Sequence, residues 1–186
     1  HRMHTACRGR WLSANSGTEE ASSPLDGVDF EHKETVRIRD RYDAQVPTVV
    51  GAVSRRQPVF VEDAKFLRAQ TDRRIKWALP GPMTMIDTLY DAHYGSREKL
   101  AWEFAGILNQ EARALEAAGV DIIQFDEPAF NVFFDDVRDW GIAALERATE
   151  GLKAQTAVHI CYGYGIKANN DWKLTLGSEW RQYEQT

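Results

Sequence analysis

The sequence is poor in cysteine: only Cys7 and Cys161 occur in 186 residues. That count excludes a disulfide framework. It fits a reduced, cytoplasmic setting, where a cysteine is a metal ligand, a nucleophile or a buried side chain. Long apolar runs are also missing. None approaches the roughly 20 residues that span a bilayer, so no membrane contact is expected. Positive charge is in deficit, with 23 Lys and Arg against 28 Asp and Glu and a net charge of -5. A basic stripe that would grip phosphate backbones is therefore absent, and no nucleic-acid partner is expected. No Gly-x-Gly-x-x-Gly follows any strand-like run, which weakens a dinucleotide-binding fold.

What remains is an ordinary globular composition, 43% hydrophobic, in a chain long enough for one domain with a sizeable core. Residues 1–26 stand apart. Their basic start and Ser/Gly/Thr-rich continuation predict disorder, and 27–186 are read as the folded domain. Thr35-Val36-Arg37-Ile38-Arg39 alternates apolar and charged residues, as a half-exposed strand does. Pro47 to Val53 suggests a second strand, joined through Arg41 to Ala44 into a β-hairpin extending beyond the main domain. Glu62 to Gln70 reads as a short helix, with Ala64, Phe66 and Leu67 as its buried residues.

Three strand-and-helix units follow. Ile75 to Leu79 is a short strand stopped by Pro80-Gly81-Pro82. Ser96 is a good N-cap for a long helix ending near Ala118, and Gly119 suits the left-handed position after its end. Leu100, Phe104, Ile107, Leu108 and Leu115 mark that helix's buried face. Val120 to Phe125 is the next strand, and Asp136 to Lys153 the next helix, with Val137, Trp140, Leu145, Ala148 and Leu152 inward. A last strand covers Thr156 to Gly163, and Ser178 reads as the N-cap of a further helix. Strands alternating with helices imply a parallel sheet built from right-handed crossovers. The fold class is α/β, of the (β/α)8 barrel type but incomplete: about three central units plus the N-terminal hairpin.

Polar residues gather at the carboxyl ends of these strands, where barrel active sites lie. Side chains two apart on a strand share a face, so His159 and Cys161 are expected to project together. An imidazole and a thiolate at that spacing can hold one side of a tetrahedral zinc site. A core histidine and core cysteine are the plainer reading of the same pair. Asp126 and Glu127 are adjacent and face opposite ways, and Gln124 shares a face with Asp126. Asp126 is the candidate catalytic group, suited to an ammonium or to acid-base work, and Asp126 with Glu127 are the candidate substrate-binding carboxylates. Capping of the following turn is the plainer role for Asp126. Tyr162, Tyr164 and Trp172 can line a pocket or merely pack a loop.

Leu79-Pro80-Gly81-Pro82-Met83-Thr84, Ile122 to Ala129 and Val158-His159-Ile160-Cys161-Tyr162 resemble, in order and spacing, the catalytic barrel of cobalamin-independent methionine synthases. The short, single-domain relatives are the better match. The resemblance implies a (β/α)8 barrel, a zinc ion (Zn2+) that activates homocysteine, and methyl transfer to its sulfur. By resemblance His159 and Cys161 match two zinc ligands, and Asp126 matches the aspartate that binds the homocysteine amino group. The family's other zinc ligands, a glutamate and a second cysteine, find no match here. Nor do a serine and a glutamate that contact homocysteine. Thr88 stands where folate-using members carry a tryptophan. The methyl donor is thus either methyltetrahydrofolate or a methylated corrinoid protein. The resemblance further implies a fragment that does not turn over alone and tends to self-associate. An inactive remnant, or a related barrel with other chemistry such as decarboxylation, is the alternative.

Overall fold

A computed structural model describes residues 23–39, 41–161 and 167–175. The hairpin forms and is longer than its alternation suggested. β1 (Leu25–Ile38) and β2 (Tyr42–Arg55) pair antiparallel from Leu25 opposite Arg55 to Ile38 opposite Tyr42. The register slips between Asp29 and Lys33, where the Asp29 carboxylate accepts the backbone N–H groups of Glu31 and His32 instead of a ladder bond. The hairpin is not an outward extension. Leu25, Val49 and Val53 enter the main core, and the turn end is buried at Ile38, Arg39 and Arg41.

The helix α1 (Val61–Gln70) also corrects its expected face. Only Ala64 is buried, while Phe66 is 70% exposed and Leu67 39%. Arg68, one turn beyond Ala64, lies across the end of the next-but-one helix and bonds the Gly119 carbonyl at 3.2 Å. Ala64 and Arg68 share a face, and that sets the rotation of the helix and turns Phe66 outward.

β3 (Lys76–Pro80), β5 (Ile122–Asp126) and β6 (Gln155–His159) form a parallel sheet in the order β3-β5-β6. Between β3 and β5 come the short helix α2 (Pro82–Ile86), the two-residue strand β4 (Tyr90–Asp91) and the long helix α3 (Arg97–Ala117). β4 joins the hairpin, parallel to β2, so the order of the other sheet is β1-β2-β4. Among the described residues neither sheet closes on itself.

α3 is built as its sequence indicated. The Ser96 hydroxyl accepts the Lys99 N–H at 3.3 Å, and Gly119 has φ +92 just past the helix end. Leu100, Phe104, Leu108 and Leu115 are fully buried beneath the strands, each worth about 1.5–3 kcal/mol of burial. Ser96→Ala should lower stability by about 1 kcal/mol, the usual loss of an N-cap, readable as a shifted denaturation midpoint.

The segment after β5 departs from a simple helix. A short turn (Pro128–Asn131) leads into Phe134–Asp136, then a π-helical stretch (Val137–Gly141), then α4 (Ile142–Thr149). Val137, Trp140, Leu145 and Ala148 are buried as expected, and Leu152 lies beyond the helix, half-buried. A side chain at Gly141 would run into the Met83 sulfur, so glycine lets this rod pass close to α2. The short helix α5 (Lys167–Leu174) was not foreseen. The helix expected from Ser178 lies outside the described residues, as do Cys7, Tyr162, Tyr164 and the side chain of Trp172.

Candidate active site at the ends of three parallel strands

The parallel register brings three strand ends level. Pro80 pairs with Asp126, and Asp126 with His159. The backbone stays stitched just past the strands: Gly81 N–H donates to the Asp126 carbonyl and Glu127 N–H to the His159 carbonyl, both at 2.9 Å. The motifs read separately from the sequence are therefore neighbours on one edge of one sheet.

Asp126 is the centre of the polar arrangement. Its Oδ1 accepts from Gln124 Nε2 at 2.7 Å and meets His159 Nδ1 at 3.1 Å. The Asp126 side chain is 15% exposed and that of His159 42%, so the carboxylate is sheltered and the ring reaches out of the sheet. A carboxylate behind an imidazole holds the ring's orientation and raises its basicity as a ligand. With Nδ1 turned to Asp126, Nε2 is the nitrogen His159 would present to a metal.

The last strand is shorter than the expected Thr156 to Gly163. β6 ends at His159, so strand alternation does not extend to Cys161. Its side chain is half-buried. Its carbonyl accepts Asn131 Nδ2 at 2.8 Å, which anchors the chain after the strand. Nitrogen from His159 and sulfur from Cys161 are donor types that zinc prefers. Among the described residues, however, no group of three His, Cys, Asp or Glu side chains comes together to hold a metal.

Glu127, expected beside Asp126 as a substrate-binding carboxylate, turns the opposite way and is fully buried. Its carboxylate accepts the Met83 N–H at 3.0 Å, the Thr84 N–H at 3.0 Å and the Thr84 hydroxyl at 2.7 Å. These donors belong to the first turn of α2. A Cβ on Gly81 would collide with the Glu127 side chain, so glycine is required there for close approach. Burial pushes the Glu127 carboxyl up to about 7, against the pull of its three hydrogen bonds and of Arg39.

Sequence reasoning missed the hairpin's contribution. Arg39, at φ +47 in the turn, is ion-paired with Asp87 at 3.3 Å, and both side chains are buried. Arg41 is buried beside it. Burial lowers the Arg41 pKa and the Arg39 charge adds to that, while Cys161 is close enough to act in the opposite direction. Two buried guanidinium groups at a hairpin turn have no local sequence signal. The Thr88 hydroxyl donates to the Met85 carbonyl at 2.8 Å, closing the end of α2 without an aromatic face.

Comparison with known proteins gives this geometry its context. Residues 16–168 match the family model described as the cobalamin-independent synthase catalytic domain. A methionine synthase of Saccharolobus solfataricus is 36% identical over 136 residues, covering 72% of this chain and 40% of that protein. A 5-methyltetrahydropteroyltriglutamate–homocysteine methyltransferase of Citrobacter koseri is 34% identical over 157 residues, 80% of this chain and 21% of its relative. The solved B12-independent methionine synthase of a Shewanella species, in complex with selenomethionine, superposes with a TM-score of 0.85 at 80% identity. That match covers 88% of this chain and 48% of the solved one. The chain thus spans less than half the length of these relatives. It belongs to the cobalamin-independent synthase family, within that family's catalytic domain.

Proposed function

We propose that the chain forms part of the active site of a zinc-dependent S-methyltransferase that methylates homocysteine to methionine, on a (β/α)8 barrel. The observation that carries the reading is the Asp126–His159 contact at the level ends of β5 and β6, in a chain of this family. Selenomethionine bound to the Shewanella protein, a selenium analogue of the product, supports the substrate class.

In this reading His159 and Cys161 hold the metal. Zinc, when bound, keeps a substrate thiol as the nucleophilic thiolate near neutral pH. Asp126 receives the substrate ammonium and braces the His159 ring. Glu127 fixes the turn from Pro80 to Thr84 that walls the site, and does not itself touch substrate. Much of the catalysis then comes from holding sulfur and methyl carbon in line. The sulfur–carbon bond forms as the donor's bond to the methyl carbon breaks, and the thiol proton leaves to solvent. Thr88 offers no aromatic surface to a pterin, which favours a methylated corrinoid protein over methyltetrahydrofolate as donor.

Zinc affinity, measured by competition with a chromophoric chelator, tests the reading. His159→Ala and Cys161→Ala should each weaken zinc at least about 10-fold, and Asp126→Asn about 10-fold through the ring it braces. Equal affinity in parent and ligand variants would refute the assignment.

A further inference from the structure

Asp126 is held by more than His159. Lys76 Nζ donates to Gln124 Oε1 at 2.8 Å, and Gln124 Nε2 donates to Asp126 Oδ1 at 2.7 Å. Lys76 lies on β3, Gln124 and Asp126 on β5, and His159 on β6. The register places all four side chains on one face of the sheet, since Ala78 is opposite Gln124 and Pro80 opposite Asp126. The result is one hydrogen-bonded chain running from an exposed ammonium to the imidazole.

The chemistry of the links is directional. An ammonium can only donate, and an ionised carboxylate can only accept. A residue joining them must accept on one side and donate on the other, and a side-chain amide does both. The Gln124 amide is therefore oriented by its partners: its oxygen must face Lys76 and its nitrogen must face Asp126. Lys76 opens β3 and Gln124 lies two residues before the end of β5, so the hydrogen-bonded chain runs along the sheet face toward the strand ends.

We propose that Gln124 and Lys76 are positioning residues for the Asp126–His159 pair. The juxtaposition of Lys76, Gln124, Asp126 and His159 on one sheet face fixes the Asp126 carboxylate so that it accepts the Nδ1 proton of His159. That selects the ring tautomer in which Nε2 carries the lone pair for a metal. The proposal rests on the methyltransferase reading for its purpose, but not for its test.

The test uses Gln124→Met, Gln124→Glu and Lys76→Met in the full chain without metal. Glutamate keeps the acceptor for Lys76 but sets acceptor against acceptor at Asp126. Ring-nitrogen NMR shifts of neutral His159 report which nitrogen carries the proton. The parent should hold it on Nδ1. Both Gln124 variants should move the population toward Nε2–H, and Lys76→Met should do so in part. Zinc affinity should fall about 10-fold in the Gln124 variants. Lys76 is exposed, so its variant decides the matter if a Gln124 variant fails to fold. An unchanged Nδ1–H population in the variants would overturn the proposal. So would parent-like behaviour of Gln124→Glu. A parent that holds the Nδ1 proton and loses it in the variants, yet never binds zinc, would sink the methyltransferase reading and leave the positioning role standing.

Discussion

Replacing Glu127 by alanine should remove about 4 kcal/mol of folding stability, visible as a large drop in the urea midpoint. The change leaves the Met83 and Thr84 N–H groups and the Thr84 hydroxyl without their acceptor, in a place with no access to water. Each buried unsatisfied donor costs about 1–3 kcal/mol, and the lost side chain adds a cavity. Glu127→Gln should cost less, because one amide oxygen still accepts. A pH series separates the two effects. The carboxyl is held at about 7 in the folded state, above its ordinary 4.5, chiefly by burial. The folded chain therefore keeps a proton that the unfolded chain releases between those values. Stability contributed by the protonated form falls as pH rises through this window and is gone above about 7, a change of about 3 kcal/mol. Glu127→Gln should flatten that slope. A slope that survives in the Gln variant would assign it to another group.

Loss of Glu111 is the second large effect. This residue is fully buried on α3, yet its carboxylate meets Arg55 Nη2 at 2.6 Å and Nε at 2.9 Å. It also accepts the Val59 N–H at 3.1 Å and the Phe60 N–H at 2.8 Å. One side chain thus ties α3 to the segment between β2 and α1. Glu111→Ala should destabilise by about 3–5 kcal/mol, because the Arg55 charge is left sheltered without a counterion. Arg55→Met in the same chain should recover part of that, as no unpaired charge remains. Equal stability of the single and double variants would show that the two backbone bonds carry the effect. Arg55, Val59 and Phe60, which Glu111 holds, are not residues of the proposed site, so zinc affinity should change less than stability does.

Legibility in the sequence followed the range of the interaction. Ser96 and Gly119 bound α3 through contacts within a few residues, and both were readable. Phe66 and Leu67 were apolar residues in a helix, but the helix's rotation is set by Ala64 against the core and Arg68 against Gly119, some fifty residues away. Strand alternation put Asp126 and Glu127 on opposite sides. It could not say that one side holds His159 and the other the first turn of α2. The pairing of Lys76 with Gln124 depends on the register between β3 and β5, which no local pattern carries. The expected last strand also ran too long: β6 stops at His159, and the Cys161 carbonyl past its end accepts from Asn131. Arg39 and Arg41 look like the polar turn of an exposed hairpin, and only the fold buries them.

The order of the two acids at the end of β5 has a consequence for how this stretch can change over generations. Aspartate and glutamate codons differ only at the third base, so single-base mutation continually offers either acid at either position. The two positions ask for different lengths. The clamp needs the longer side chain to reach the turn that Gly81 leaves open. The position facing His159 already makes its contacts with the shorter one. An exchange of one acid for the other keeps charge, hydropathy and strand pattern, and a comparison of sequences by similarity would score it as silent. In this fold it withdraws the clamp by one methylene or pushes a carboxylate further into the site. A conservative-looking exchange therefore costs this strand end contacts that charge and hydropathy alone do not reveal.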